Sequence, residues 1–186
     1  MLGAILHDGN RCEFRVWAPE AKTVDVHLIG EHDQYVSMAR MEQGYFQAFV
    51  DDIMPGQLYL YRLDGKAEYP DPASRYQPQG LKQASQVIDR RYVWRDQAWR
   101  GVERKDYIIY ELHIGTYSPL GTFQGAIPFL DELVELGITA VEIMPIVQFP
   151  GRWGWSYDGV FLFAPHNMYG TPDDFKALID ALHERG

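Results

Sequence analysis

Residues 149–159 read FPGRWGWSYDG. Trp153, Trp155 and Tyr157 alternate with Gly154 and Ser156, and Asp158 follows at once. Flat aromatic faces beside a carboxylate suit a sugar: the C–H groups of a pyranose pack on the rings while the carboxylate accepts hydroxyl hydrogen bonds. The same three rings would serve equally as core plugs, and composition alone leaves the two readings open. A second candidate is His113, the only histidine on an expected strand; a lone strand histidine is more often a satisfied core residue than a catalyst or ligand. Glu111 precedes it on the same run, and Glu142 lies inside the next apolar run, where it either points inward or sits at the surface in a salt bridge. His166 and His183 read as a loop residue and a helix-end residue. No His, Cys and carboxylate cluster has metal-ligand spacing. There is no P-loop, dinucleotide fingerprint or nucleophile elbow. No metal and no cofactor is expected.

Two kinds of element must position these residues. Up to about residue 95 the chain runs in short alternating stretches broken by turn signals. CEFRVWAP alternates and ends in proline; TVDVHLIG puts Val24, Val26 and Leu28 on one face and Thr23, Asp25 and His27 on the other; YFQAFV and QLYLYRLDG continue the period of two. Asp64-Gly65 is a hairpin signal. This spacing predicts an antiparallel, immunoglobulin-like β-sandwich of about seven strands over residues 1–95. EYPDPASRYQPQGLKQAS, with Pro70, Pro72 and Pro78, excludes a long helix or central strand.

Residues 96–186 form a linker and then change period. YVWRDQAWRGVERK, spanning that boundary, is a polar connection whose Trp94 and Trp99 dock against a neighbouring element. DYIIYELHI is a continuous apolar run, as expected for a strand buried on both faces. GAIPFLDELVELG places Ile127, Leu130, Leu133 and Val134 on a helical stripe that stops at Gly137. ITAVEIMPI is a second buried strand, and the aromatic loop follows it. TPDDFKALIDALHERG opens with Thr171 as N-cap and Pro172 in the first turn, and carries Phe175, Leu178, Ile179 and Leu182 as its apolar face. Strand, helix, strand, helix is the start of a parallel α/β architecture. A (β/α)8 (TIM) barrel needs upward of about 200 residues, so only its first two βα units are expected here, with the barrel incomplete. In such barrels function sits at the C-terminal strand ends, which selects Glu111, His113 and the loop carrying Trp155, Tyr157 and Asp158.

The chain carries 46% hydrophobic, 23% charged and 14% aromatic residues, with a formal charge of −9 and a pI near 5.0. That balance is ordinary for a soluble globular protein. No Lys/Arg cluster offers a nucleic-acid patch. No apolar run approaches the roughly 18 residues that span a membrane. A single cysteine, Cys12, permits no intrachain disulfide, and the N-terminus lacks a signal-peptide pattern, so a cytoplasmic location is the default expectation.

YELHIGTYSPLGTF, ITAVEIMPI and GWSYDGVFLFAPHNMYGTPDDFKALIDALHERG together resemble the α-amylase superfamily of glycoside hydrolases (glycoside hydrolase family 13) up to the threshold of its third barrel strand. FRVWAP resembles the sandwich that precedes the barrel in branching enzymes, isoamylases and trehalose-releasing members. DPASRYQPQG followed by SQVID, ELHIGTYSPLGTF and FPGRWGWSYDG look most like the trehalose-releasing members. The resemblance implies retaining hydrolysis of the α-1,4 bond next to a terminal trehalose, a place in trehalose biosynthesis, and a malto-oligosaccharide or maltooligosyl-trehalose substrate. Branching enzymes, second by this resemblance, usually carry a Gly-Asp-Phe-Asn-Gly-Trp-like stretch where this chain reads LIGEHDQYV. The family's nucleophile, acid and stabilising aspartate follow the fourth, fifth and seventh strands, so no catalytic residue is expected in this chain and the fragment alone is expected to be inactive. By family position Tyr157 would stack on the sugar at the cleavage subsite, Asp158 would contact hydroxyls beside it, and His113 and Glu111 would line the barrel interior. Where those loops usually read Trp-Gly-Tyr-Asp-Gly, Ser156 stands in place of the middle glycine. A non-catalytic carbohydrate-binding fragment is the alternative from another class; FRVWAP and its neighbours show no obvious exposed aromatic pair, which favours a structural role for the sandwich.

Overall fold

The computed structural model describes residues 1–186, and the chain divides into two compact units: Met1–Arg90 with Phe161–Ala164, and Arg91–Val160 with Pro165–Gly186. The strands of the first unit are β1 (Gly3–Leu6), β2 (Cys12–Trp17), β3 (Val24–Ile29), β4 (Gln34–Ser37), β5 (Ala39–Arg40), β6 (Tyr45–Val50), β7 (Leu58–Leu63), β8 (Ala67–Tyr69) and β9 (Ser85–Gln86). One sheet runs β1-β2-β6-β5; the other runs β4-β3-β7-β8, with β9 also on β7. All these pairings are antiparallel. The expected seven strands are joined by β5 and β9, two-residue strands too short to show a period.

Side-chain alternation builds the core between the sheets. Cys12, Phe14 and Val16 of β2 and Phe46, Ala48 and Val50 of β6 point inward. Phe14 meets Tyr59 edge-on at 5.0 Å. Burial pushes the Cys12 thiol up to about 12, which leaves it inert as a nucleophile. The β7–β8 connection is the three residues Asp64–Lys66, with Asp64 and Gly65 both at positive φ (52° and 65°) and the Lys66 N–H donating to Leu63 O across them. Asp64 Oδ1 accepts the Thr23 and Lys22 backbone N–H groups, which hold its carboxyl below the usual range.

Two features of this unit differ from the pattern read in the sequence. His27 belongs by alternation to the polar face of β3, yet it is buried, because Tyr35 stacks on its ring at 4.2 Å and Glu68 lies 3.1 Å from Nδ1. On β2, Trp17 is 55% exposed, and register places Tyr45 opposite it. Two aromatic residues therefore do stand on the outer face as register partners; they lie 28 residues apart in sequence and are set opposite each other only by the pairing of two strands. The proline-rich segment is tied down by Asp71, which is fully buried. Its Oδ2 accepts the Tyr59 hydroxyl at 2.7 Å, its Oδ1 accepts the Ala73 N–H, and its own N–H donates to Ser85 Oγ. Burial raises this carboxyl to about 6 against those hydrogen bonds.

The second unit contains β10 (Ile109–Leu112) paired in parallel with β11 (Ala140–Ile143), four helices between and after them, and the strand β12 (Val147–Gln148); of β13 (Phe161–Pro165) only Pro165 belongs to it. The helices are α1 (Ile114–Tyr117), α2 (Phe123–Ala126), α3 (Leu130–Glu135) and α4 (Pro172–His183). Strand–helix–strand–helix order and the parallel pair match the expected opening of a (β/α)8 barrel; the sheet has two strands and is not closed. β10 is not buried on both faces: Ile109, Tyr110 and Glu111 are exposed and only Leu112 is buried, because a two-stranded sheet leaves surface that no neighbour covers.

The expected single helix over GAIPFLDELVELG is split by a 3-10 turn, Ile127–Phe129, at Pro128, which has no N–H for an α-helical bond. The break rotates the stripe, so that Leu130 and Leu133 are buried while Val134 is 48% exposed. Gly137 (φ 85°) ends the helix as expected. Its N–H donates to Val134 O and the Ile138 N–H to Leu133 O, the two bonds of a Schellman cap. α4 begins on a capping box: Thr171 Oγ1 accepts the Asp174 N–H, and Asp174 Oδ2 accepts the Thr171 N–H. Leu178 and Ala181 bury its apolar face, with Phe175 and Leu182 packed alongside. Arg95 clasps the buried Asp180 through its N–H (2.9 Å) and Nε (2.8 Å), and Trp99 stacks on His183 at 3.8 Å, so the segment before β10 docks on α4. Trp94 meets Tyr92 edge-on instead.

Candidate functional site

The two parallel strands deliver their C-terminal ends side by side. His113 directly follows β10 and stands at the N-cap of α1; the aromatic loop follows β11 and β12. Within that loop burial alternates sharply. Phe149 and Ser156 are buried, whereas Trp153, Trp155 and Tyr157 are 71%, 60% and 74% exposed. The three rings are not core plugs of this unit. The core is filled instead by Phe149, which stacks on His166 at 3.8 Å and leaves no room at Gly154, where a Cβ would lie 2.8 Å from its ring.

Ser156 forms the bend between Trp155 and Tyr157. Its φ is 59°, so the left-handed conformation is retained at the position where a glycine would adopt it freely. Gly159 closes the loop against Val147; a Cβ there would collide with the Val147 side chain. Asp158 is exposed beside Tyr157.

His113 is the joint of the site. Its Nε2 lies 3.0 Å from the Gly154 carbonyl and 2.9 Å from the Tyr169 hydroxyl, and Nδ1 lies 3.2 Å from Thr116 Oγ1. Its ring is 4.9 Å from Trp155 and meets Tyr169 edge-on at 5.9 Å. Gly115 lets the chain turn this closely, since a Cβ there would lie 2.8 Å from His113 Cε1. Tyr169 is buried, and burial pushes its hydroxyl up, so it stays protonated across the working range.

Behind the loop, Gln148 satisfies every group it offers. Its Nε2 donates to Phe149 O and to His166 Nδ1, and its Oε1 accepts the Asn167 N–H. Accepting at Nδ1 selects the neutral His166 tautomer with its proton on Nε2, and burial lowers the pKa of this ring. His166 is thus a packed support of the loop. The structure brings His113 and Trp155 into contact and sets Tyr157 and Asp158, both exposed, on the same loop. Glu111 and Glu142 are register partners in β10 and β11, and both are exposed. Sequence reading missed Tyr169 and Gln148; the only local signal for Tyr169 is its place two residues before the Thr171 cap.

No group of three His, Cys, Asp or Glu side chains is placed to hold a metal ion. No helix is long and apolar enough to cross a membrane. The arrangement offers a ledge of rings, a carboxylate beside it and a hydrogen-bonded hinge beneath it, which is binding chemistry for a polyhydroxylated ring.

Comparison with known proteins bears on the same residues. The family model of carbohydrate-binding module 48 (isoamylase N-terminal domain) matches residues 1–78, and that of the alpha amylase catalytic domain matches residues 69–186. Malto-oligosyltrehalose trehalohydrolase of Saccharolobus solfataricus is 44% identical over 179 residues, 96% of this chain and 32% of the relative. The enzyme of that name from Deinococcus radiodurans is 39% identical over 188 residues, 100% of this chain and 30% of the relative. A 1,4-alpha-glucan branching enzyme of Albidiferax ferrireducens is 31% identical over 207 residues, 100% of this chain and 33% of the relative. Among solved structures, a Salmonella typhimurium protein provisionally described as an alpha amylase superposes with a TM-score of 0.93 at 44% identity, covering 100% of this chain and 31% of that one. A pullulanase from Anoxybacillus complexed with maltotetraose shares the fold, with a TM-score of 0.82 at 24% identity over 100% of this chain and 33% of that one. The chain spans about a third of the length of the curated relatives it matches.

Proposed function

The chain belongs to the α-amylase family, and from that premise we propose that it is the N-terminal part of a glycosidase that hydrolyses the α-1,4 bond next to a terminal trehalose in maltooligosyl-trehalose. Residues 1–95 would form the sandwich domain, and residues 96–186 the linker and the opening of the catalytic barrel. The observation that carries the reading is the ledge of exposed Trp153, Trp155 and Tyr157 at the C-terminal strand ends, hinged on His113 and flanked by Asp158. Similarity to trehalohydrolases at 39–44% identity, against 31% for the branching enzyme, supports trehalose release over branching.

In this proposal the residues of this chain bind and orient. Tyr157 stacks on the apolar face of a glucose unit, Trp155 extends that floor, Asp158 accepts from sugar hydroxyls, and His113 holds the loop carbonyl that sets their angle. None is assigned as nucleophile or acid. A cytoplasmic location and a role in making trehalose belong to the same proposal; the acidic pI and the single buried cysteine are consistent with it.

The test is an assay of the full-length gene product on maltooligosyl-trehalose. Release of free trehalose is the expected result. New α-1,6 branches on amylose without trehalose would replace this reading with branching activity.

A further inference from the structure

Gln148 and His166 are buried behind the aromatic loop, and the trehalose-releasing reading gives neither a role. Both N–H groups of the Gln148 amide and its oxygen are engaged. Nε2 donates to Phe149 O and to His166 Nδ1, each at 3.1 Å, and Oε1 accepts the Asn167 N–H at 2.8 Å. The backbone closes the same frame: the Val160 N–H donates to Gln148 O at 2.8 Å, and the His166 N–H to Ile146 O at 2.7 Å. Only one orientation of the amide suits these partners, and it requires His166 Nδ1 to be an acceptor. The frame reaches the ledge through Phe149. Its ring stacks on His166 at 3.8 Å and presses on Gly154, where a Cβ would lie 2.8 Å from it. Gly154 stands between Trp153 and Trp155, and its carbonyl is the one that His113 holds.

We propose that Gln148 is a positioning residue of the sugar ledge, and that the neutral ring of His166 is the acceptor that fixes its orientation, so that a proton on His166 Nδ1 releases the loop. The hydrogen-bond inventory gives the direction. A protonated ring sets the Nδ1–H against an N–H of Gln148. Turning the amide over restores that bond, since Oε1 then accepts from Nδ1. It also places Nε2 against the Asn167 N–H and leaves Phe149 O without its donor. One hydrogen bond is regained and two are lost, and Gln148 is only 1% exposed, so water does not replace them. Burial lowers the His166 pKa below its ordinary value of 6.5, outweighing the Arg152 backbone and the Asp158 carboxylate, which favour the charged ring. Tyr169 meets the ring edge-on at 5.0 Å with its hydroxyl protonated. The latch is therefore closed at neutral pH and opens on the acid side. The inference rests on the glycosidase reading only for the substrate that detects it; the frame is the same whichever bond the full-length enzyme cuts.

The experiment uses the full-length protein and its His166→Phe, His166→Gln and Gln148→Ala variants. KM and kcat on maltooligosyl-trehalose are measured from about pH 7.5 to about pH 5. Tryptophan fluorescence with acrylamide quenching follows the loop over the same range without substrate. The parent is expected to show KM rising roughly three- to tenfold toward the acid end, together with a fluorescence transition. The reaction's own acid and base also titrate in kcat, so KM is the diagnostic. His166→Phe keeps the stack and removes the acceptor; it is expected to raise KM at every pH and to lose the transition. His166→Gln accepts through its own Oε1 and does not titrate. It is expected to recover most of that loss, and to hold KM at the acid end within about twofold of its own neutral value. Gln148→Ala is expected to match His166→Phe, and it carries the test with His166→Gln if His166→Phe fails to fold. An equal acid rise in KM for the parent and His166→Gln overturns the proposal, as does a parental KM in folded Gln148→Ala. A parent that releases no trehalose, yet shows a fluorescence transition absent from His166→Gln, overturns the trehalose reading and supports the latch.

Discussion

The hydroxyl of Tyr169 lies 2.9 Å from His113 Nε2, the same nitrogen that lies 3.0 Å from the Gly154 carbonyl. A carbonyl only accepts, so Nε2 carries the proton that faces Gly154. One ring nitrogen thus links the end of β10, the approach to α4 and the backbone between Trp153 and Trp155. In the full-length enzyme, His113→Ala is expected to raise KM for the glucan substrate on the order of tenfold by freeing the loop, with a smaller effect on melting temperature. His113→Gln, which can still donate to the Gly154 carbonyl, is expected to recover part of the loss. Steady-state kinetics on both variants check this; equal losses in the two would exclude the hydrogen bond as the cause.

Tyr157 is 74% exposed, so its ring contributes little to folding. Tyr157→Ala is expected to change stability by no more than about 0.5 kcal/mol, as for surface substitutions generally. Turnover of maltooligosyl-trehalose should fall on the order of a hundredfold through lost positioning. Parallel melting and activity measurements separate the two effects. A collapse in melting temperature equal to the loss of activity would make Tyr157 a packing residue.

Ser156 holds φ at 59° with its side chain buried. The left-handed conformation costs a non-glycine residue about 1 kcal/mol, and glycine's extra unfolded-state entropy costs nearly as much. Ser156→Gly is therefore expected to leave stability within about 1 kcal/mol of the parent and activity intact. Ser156→Val, β-branched at a positive φ, is expected to lose about 2 kcal/mol or more. Denaturant midpoints of the two variants give the comparison.

Asp71 predicts a pH dependence of unusual sign. Its carboxyl is raised from 3.8 to about 6 in the folded protein. Between those values the folded state binds more protons at this site than the unfolded state, so this group's contribution to stability falls as pH rises from about 4 to about 6. Below about 4 both states are protonated and the penalty is absent; above about 6 it is fully present, at most roughly 3 kcal/mol. Asp25, Asp64 and Asp174, whose pKa values are lowered, act in the opposite direction, losing stability as pH falls. Asp71→Asn, which stays neutral, is expected to steepen the loss of stability on acidification between pH 6 and pH 4. Melting curves across that range, parent against variant, check the sign; an unchanged slope would mean that Asp71 titrates normally.

Local signals carried much of the architecture. The Thr171 capping box, Pro172, the Gly137 stop and the Asp64-Gly65 turn are each settled within a few residues, because caps and turns are hydrogen bonds between near neighbours. Strand alternation likewise separated Phe14 and Val16 from Glu13 and Arg15. It failed at His27, whose burial depends on Tyr35 and Glu68 arriving from other strands, and at Val134, whose exposure follows from the break at Pro128.

The sequence by itself determined the order and period of the elements, the resemblance to the α-amylase superfamily, and the residues able to stack on or hydrogen-bond to a sugar. It could not separate ring as plug from ring as ledge, since both use the same residue types. Only the tertiary structure decided that Phe149 fills the core while Trp153, Trp155 and Tyr157 stand exposed, and that His113 meets Gly154 and Tyr169 across 41 and 56 residues. Those contacts are fixed by where the parallel strands end in space. A strand's end position is set by its long-range partner, which no local pattern encodes.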